Sequence, residues 1–356
     1  MIELYIDEKT IKVSKDSSIL DAALSHDIEI PNMCHLENQT GNTSCMLCVV
    51  EIEGIEKLQL SCAVKVKEGM RVISNSNRIN EVRKKAIELL LSEHQGDCIA
   101  LCQKSCPYNF NIPLMLRYIQ KGDFFSAKIL IRETPDFTEH SCEICKGYCE
   151  KACRRKTVDQ SISIKSLITY TIQCTVKSSS EKEFIQDNKI NNLQKEKDKK
   201  NSFSSIMKNL NNEELRELAK GKPDKQLNEN NITSDTAINE ALRCMHCDCR
   251  KKDNCLLRNY ADTLNANQTY YKGCRKELQV IDLDEIILEP AKCISCGICD
   301  KISEIHCVDF GFTFLNRGFS ITPTVPFNNY KDEKLKKLFK LYVDSCPTGA
   351  LSWKND

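Results

Sequence analysis

The chain reads as a multidomain α+β protein, a string of small modules held together by metal rather than by one large core. Three observations predict this. Its 356 residues carry 22 cysteines, and these fall in short ladders instead of being scattered. The apolar pattern switches from strand-like alternation before residue 76 to helical spacing after it. A stretch rich in Lys, Asn, Glu and Ser, residues 175–236, then separates these modules from two more cysteine-rich segments. Modules of well under ~100 residues bury little apolar surface, and metal sites commonly supply the missing stability.

Composition narrows the class. With 51 basic and 50 acidic residues the formal charge is +1, which gives no electrostatic case for nucleic acid. No apolar run approaches the ~18 residues needed to span a bilayer. The start, Met1-Ile-Glu-Leu-Tyr5, lacks the basic and apolar regions of a secretory signal. The expected setting is therefore cytoplasmic and reducing, where thiols serve as ligands more often than as disulfides.

In the first module, residues 1–76, positions 2–6 and 10–13 alternate as a hairpin around Asp7-Glu8-Lys9. Ile19, Leu20, Ala23 and Leu24 sit on a helix from Ser18 to His26 that Ser17 or Asp16 can cap. Strands are expected at 47–53, 57–61 and 71–74. Into this frame fall Cys34-x10-Cys45-x2-Cys48-x13-Cys62. Four thiolates, three in one loop and one on a later strand, suit a [2Fe–2S] centre in a β-grasp ferredoxin domain, with spacing wider than the plant-type C-x4-C-x2-C. The pattern resembles the N-terminal domain of the large iron–sulfur subunit of respiratory complex I, and related subunits of NAD-linked hydrogenases and formate dehydrogenases. A zinc-stapled β-domain is the alternative, although zinc sites more often pair two short C-x2-C knuckles.

From 77 to 174 the period is helical. Asn77 can cap a helix carrying Ile79, Val82, Ala86, Leu89 and Leu90 that ends at His94. Then come Cys98-x3-Cys102-x3-Cys106-Pro107 and, after a helical spacer, Cys142-x2-Cys145-x3-Cys149-x3-Cys153. Asn111 can cap one spacer helix, with Pro113 in its first turn, and Asp123 the next, which stops before Pro135. A thiolate every fourth residue is poor core material and good chemistry for iron–sulfur cubanes, which need about four soft ligands converging on one point.

Two resemblances carry the assignment of ligands. The string Glu88-Leu-Leu-Leu-Ser-Glu-His94-x3-Cys98 is again similar to the complex I subunit, in which the corresponding histidine joins a [4Fe–4S] cluster. Past Cys98, the ladder to Cys106-Pro107, Ile112-Pro113, Gly122-Asp123, Ala127 and Cys145-x3-Cys149-Glu150-x2-Cys153-Arg154-Arg155 resembles the double-cluster domain of the glutamate synthase small subunit and dihydropyrimidine dehydrogenase. That family is an α-helical ferredoxin with two [4Fe–4S] centres. The resemblance implies that Cys98, Cys102 and Cys153 share one cluster with His94 as fourth ligand, and that Cys106, Cys145 and Cys149 hold the second. The family draws the last ligand of the second cluster from near Ile164–Thr169, where this chain has neither cysteine nor glutamine; Cys142 is the substitute candidate. Imidazole in place of thiolate removes a negative charge and raises a cluster's potential.

Residues 175–236 read as a Lys/Asn-rich, largely disordered linker. Its one amphipathic piece carries Phe203, Ile206, Met207 and Leu210, then Leu215 and Leu218 after an Asn212 cap. That piece can dock on its own protein or bind a partner. In longer proteins of the resembled kind, FAD- and NAD(P)-binding domains follow the double-cluster domain. Here the 12 glycines form no G-x-G, so the backbone cradle for a pyrophosphate is missing and neither flavin nor NAD(P) is expected on this chain.

Segment 237–285 opens on a short helix, Ala237 to Arg243, followed by Cys244-Met-His-Cys247-Asp-Cys249-x5-Cys255. These four cysteines suggest one compact [4Fe–4S] site with His246 as a neighbour, zinc being the alternative. In 286–356, Cys293-x2-Cys296-Gly297-x-Cys299 is the first half of the bacterial ferredoxin signature and Cys346-Pro347 its usual companion. With one triplet present, Cys346 closes the same [4Fe–4S] site in a ferredoxin-like module. The insertion between the two halves carries Gly311 to Phe319, expected as a β-segment that packs over the cluster, with a docking face as the alternative. Cys174, Cys274 and Cys307 fall off every signature and read as free thiols.

One [2Fe–2S] and about four [4Fe–4S] centres use about 18 or 19 of the 22 cysteines. The chain offers no G-x-S-x-G and no H-E-x-x-H. Several clusters without a substrate site describe an electron-transfer subunit of a multi-subunit oxidoreductase. Its partners would be a flavoprotein that oxidises NAD(P)H and a terminal enzyme such as a hydrogenase, formate dehydrogenase or quinone-linked complex. The β-grasp and C-terminal clusters are expected at opposite ends of the path. A stand-alone redox-responsive iron–sulfur binding protein and a zinc-built interaction scaffold are the competing classes.

Overall fold

The computed structural model describes residues 1–138, 140–174, 202–207, 209–273, 276 and 278–354. Its strands are β1 Ile2–Ile6, β2 Lys9–Val13, β3 Val49–Ile52, β4 Ile55–Leu60, β5 Arg71–Ile73, β6 Ile281–Asp282, β7 Ile286–Leu288, β8 Thr313–Leu315, β9 Thr322–Thr324 and β10 Leu351–Trp353. The helices that position the thiols begin with α1 Ile19–Leu24, α2 Asn77–Glu93, α3 Leu101–Lys104, α4 Ile112–Gln120 and α5 Phe124–Glu133. They continue with α6 Ser141–Ile144, α7 Tyr148–Lys151, α8 Ile164–Gln173, α9 Asn212–Ala219, α10 Ser234–Leu242, α11 Leu256–Thr263 and α12 Ile298–Ile305. These elements form two compact units, one of Met1–Gln95 with Arg250–Lys354 and one of Gly96–Cys249.

In the first unit the N-terminal alternation becomes an antiparallel hairpin, Ile2 opposite Val13 through Ile6 opposite Lys9. Asp7, at φ 52°, supplies the left-handed turn residue. The sheet order is β2-β1-β5-β3-β4, with β1 and β5 parallel. Leu4, Ile6, Ile11 and Val13 bury one face of it against Ile19, Leu20 and Ala23 of α1. Ser18 caps α1, accepting from the Asp21 amide at 3.0 Å, one or two residues later than expected. Ser76 does the same for α2, accepting from the Ile79 amide at 3.2 Å.

The boundary expected at 76/77 falls inside this unit. Arg83 of α2 is buried and donates to the carbonyls of Leu47, Val49 and Ser74 at 2.8, 3.0 and 2.9 Å, which binds the helix to the sheet. At the other end of the chain, β10, β7 and β6 form a second antiparallel sheet. The insertion forms the β8–β9 hairpin. Phe312 stands edge-on to Tyr342, ring centroids 4.8 Å apart, and the Tyr342 hydroxyl meets Ser303 at 2.9 Å.

The second unit is helical. Met115, Leu116, Ile119, Ala127, Ile131, Leu167, Ile168, Ala237 and Ala241 share one core, in which α10 packs on α4, α4 on α5 and α5 on α8. The two expected caps are present: Asn111 accepts from the Leu114 amide at 3.3 Å and Asp123 from the Ser126 amide at 2.9 Å.

Within the stretch expected to be a disordered linker, residues 202–207 and 209–236 are folded onto this unit. Met207, Leu215 and Leu218 are buried. Asn211, one residue before the expected cap, forms a capping box with Glu214 (2.9 and 2.8 Å). The amphipathic piece thus docks on its own protein, beside the turn Arg154–Thr157. The physical reason is its apolar stripe, which finds a core in a segment that is polar on average. Residues 175–201 of that stretch, and Cys274, lie outside the described residues.

Candidate metal centres

Cys34, Cys45, Cys48 and Cys62 are all buried at the edge of the first sheet. Their sulfurs stand in two pairs, Cys34–Cys45 and Cys48–Cys62, each 3.3 Å apart. A disulfide would be about 2.05 Å, and two thiolates on one tetrahedral metal with bonds of about 2.3 Å stand roughly 3.7 Å apart. Two chelating pairs match a two-iron centre. Hydrogen bonding within each pair pulls the Cys34 and Cys48 thiols down, Cys45 acting on the first and Cys62 on the second. A Cβ on Gly41 would lie 2.8 Å from Cys62 Sγ, so the loop closes over the thiols only with glycine there.

Cys293, Cys296, Cys299 and Cys346 line one cavity with Ile294, Ile298, Phe314 and Tyr342. Gly297, at φ 81°, turns the triplet into α12. Burial is the main force that raises the thiols of Cys293, Cys296 and Cys299.

The first and last modules were expected at opposite ends of a path, and the structure corrects this. Asn42 Nδ2 and Ser44 Oγ both donate to the Cys296 carbonyl, at 3.0 and 3.3 Å. The polar loop that leads into Cys45 thereby satisfies the backbone of the C-terminal triplet, and the two thiol groups share one interface.

His94 is the C-cap of α2, and the next amide, Gln95, donates to Ala291 O at 2.8 Å. Its ring is buried. Burial first, then the charge of Lys292, lower its pKa to about 4, so the imidazole is neutral at pH 7. The ring hydrogen-bonds the Lys292 backbone, while Nδ1 has no hydrogen-bond partner among the described residues. A neutral imidazole anchored through one nitrogen, with the other left open, is the arrangement of a metal-ligating histidine.

In the second unit Cys106, Cys142, Cys145 and Cys149 line one cavity with Pro107, Phe110, Phe137 and Lys165. Cys142, the substitute candidate, thus lies in the same lining as Cys106, Cys145 and Cys149. Gly147, at φ 68°, opens α7, and Lys165 Nζ donates to the Cys145 carbonyl at 2.9 Å. Burial pushes the Cys142 thiol up to about 11 and that of Cys149 to about 12.

The remaining thiols have neighbours from separated parts of the chain. Burial is the main force that raises Cys102 and Cys247; the neighbours that add to it are Cys244, Cys153, Cys247 and Asp248 for Cys102, and Cys244, Asp97 and Cys153 for Cys247. Cys98, expected beside Cys102 and Cys153, has its sulfur 3.1 Å from Ser205 Oγ and accepts from the Ser205 amide at 3.3 Å. Cys244, Cys247 and Cys249 close the second unit, and Cys255 stands at the start of α11 in the first. No spacing rule connects Cys153 with Cys244. The signals that sequence reading passed over are the charged residues flanking these thiols: Asp97, Arg154 and Asp248. Cys307 is exposed and Cys174 half-buried.

Residues 1–77 match the family model of a 2Fe-2S iron–sulfur cluster binding domain, and residues 91–180 that of dihydropyrimidine dehydrogenase domain II, 4Fe-4S cluster. The chain is 44% identical over 110 residues to a subunit of the NADP-reducing hydrogenase of Solidesulfovibrio fructosivorans, covering 30% of this chain and 19% of that protein. It is 40% identical over 98 residues to the α subunit of the NADPH-Fe(3+) oxidoreductase of Geobacter sulfurreducens, 28% of this chain and 12% of that one. A third relative, one of the subunits of the NADH-quinone oxidoreductase of Rhizobium meliloti, is 39% identical over 104 residues, covering 29% and 12%. The chain therefore spans less than a fifth of the length of these relatives. The N-terminal segment is a 2Fe-2S domain and the middle segment carries a 4Fe-4S domain.

Proposed function

We propose that this chain is an electron-transfer subunit of a multi-subunit oxidoreductase, relaying electrons between a flavoprotein that oxidises NAD(P)H and a terminal redox enzyme. The observation that carries the reading is the sorting of buried and half-buried thiols into separate groups of four, each with the donor set of an iron–sulfur centre. The similarity of about 30% of the chain to subunits of NAD(P)H-linked oxidoreductases supports the same reading.

In this account one [2Fe–2S] centre sits on Cys34, Cys45, Cys48 and Cys62 of a β-grasp module, and one [4Fe–4S] centre on Cys293, Cys296, Cys299 and Cys346 of a ferredoxin-like module. Another [4Fe–4S] centre sits on Cys106, Cys142, Cys145 and Cys149. Two more draw on His94, Cys98, Cys102, Cys153, Cys244, Cys247, Cys249 and Cys255. Bound clusters supply one-electron chemistry over a range of roughly −700 to +450 mV. The protein's own residues hold the metals, keep water from them and set their potentials. In the first unit the Ser44 hydroxyl and Asn42 amide, bonded to the Cys296 carbonyl, provide a short through-bond route between two thiol groups.

An EPR-monitored potential titration of the anaerobically purified chain tests this. A slowly relaxing [2Fe–2S] signal with several fast-relaxing [4Fe–4S] signals, appearing and vanishing reversibly, is the expected result. A protein that shows no paramagnetic centre on reduction is no electron carrier.

A further inference from the structure

We propose that Cys102, Cys153, Cys244 and Cys247 together hold one [4Fe–4S] cluster, at a site assembled from three separated parts of the chain. The nature of the bound group rests on the electron-transfer reading above. The choice of ligands rests on local geometry.

The residues flanking these thiols are tied to one another. Asp97 and Asp248 form a parallel β-bridge, which joins the approach to the Cys98–Cys106 ladder to the residue after Cys247. Arg154, directly after Cys153, donates to Asp97 Oδ2 at 2.8 and 3.2 Å. Arg117 of α4 grips both oxygens of Asp248 at 3.0 and 2.9 Å. Arg155 donates to the carbonyl of Arg243, the residue before Cys244, at 3.1 Å. Gln120 Nε2 reaches Ala241 O at 2.7 Å, and its side chain meets the His246 ring at 2.8 Å, holding the turn between Cys244 and Cys247. Cys102, Cys153 and Cys244 all pack against the same helical core.

Buried ion pairs such as these add little stability, because each ion is taken out of water. Their use here is register: they fix which thiols face one another. They also suit the chemistry, since four thiolates make a cluster site anionic and each nearby carboxylate already has its guanidinium. The set replaces the arrangement implied by resemblance, in which Cys102 and Cys153 joined His94 and Cys98, and the one suggested by spacing, in which Cys244 and Cys247 joined Cys249 and Cys255. His94, Cys98, Cys249 and Cys255 stand outside it.

The test uses the full chain, purified anaerobically. Cys153→Ser and Cys247→Ser should each remove the same [4Fe–4S] EPR signal and about four iron atoms, and the double variant should lose no more than either alone. The [2Fe–2S] signal is the check that each variant has folded. Two different signals lost, with about eight iron atoms missing from the double variant, would overturn the proposal.

Should serine prevent assembly, Cys153→Asp and Cys247→Asp keep an anionic ligand. Both should then shift the potential of one and the same signal, and shifts in two different signals overturn the grouping. Zinc in place of iron in the wild-type chain would defeat the electron-transfer reading. In that case co-loss of a single zinc by Cys153→Ser and Cys247→Ser still decides which thiols belong together.

Discussion

Arg83 is a charged side chain only 3% exposed, and three backbone carbonyls depend on it. Arg83→Ala leaves those acceptors buried and unpaired, for which roughly 3–5 kcal/mol is expected. A urea titration followed by loss of cluster absorbance checks it. Asp159 gives a pH dependence. Hydrogen bonds from Arg155 hold its carboxyl below the ordinary 3.8. A folded-state pKa lowered in this way adds stability above about pH 4 that drains away as the pH falls through the lowered value. Asp159→Asn should therefore melt earlier than wild type at neutral pH, with the difference shrinking in acid, as thermal melts across pH would show. Such partners were illegible in the sequence, because an arginine in an amphipathic helix reads as solvated until its burial is known. The thiol groups were legible as candidate ligands, because a cysteine every third or fourth residue serves chemistry better than packing.

Elements fixed by local rules were readable in advance. The β1–β2 hairpin follows from alternation, and α4 and α5 from Asn111 and Asp123 at their caps. Elements whose place depends on distant partners were not. Helix α2 belongs with the sheet because of Arg83, and α9 is folded because Leu215 and Leu218 find a core that average composition conceals. The turn into α12 offers a test at this scale. Gly297 has φ 81°, and a Cβ there would lie 2.9 Å from Asn42 Nδ2. Gly297→Ala should cost about 1–2 kcal/mol in backbone strain and push Asn42 off the Cys296 carbonyl. Lower melting and a weaker magnetic interaction between the two clusters of the first unit are the expected readouts; unchanged spectra would show that the contact does not couple them.

At the scale of the whole molecule, the order of modules in sequence is not their order in space. The first unit takes its two halves from the ends of the chain, and the second is the segment between. The first and last cysteine groups therefore share an interface, which a linear reading had placed at the extremes. Spacing groups thiols as the structure does where they lie within one module, as with Cys34, Cys45, Cys48 and Cys62 or Cys293, Cys296, Cys299 and Cys346. Where the middle of the chain brings Cys153 and Cys244 near each other, the contacts around them are long-range ones that no spacing encodes: the Arg154–Asp97 ion pair and the hydrogen bond from Arg155 to the Arg243 carbonyl. The central claim is that these thiols build a multi-cluster electron carrier. Iron, acid-labile sulfide and zinc per chain, measured on anaerobically purified protein, test it most directly. About 18 iron atoms, the sum for one two-iron and four four-iron centres, with matching sulfide and negligible zinc, is the result this account predicts; stoichiometric zinc with little iron would contradict it and leave an interaction scaffold.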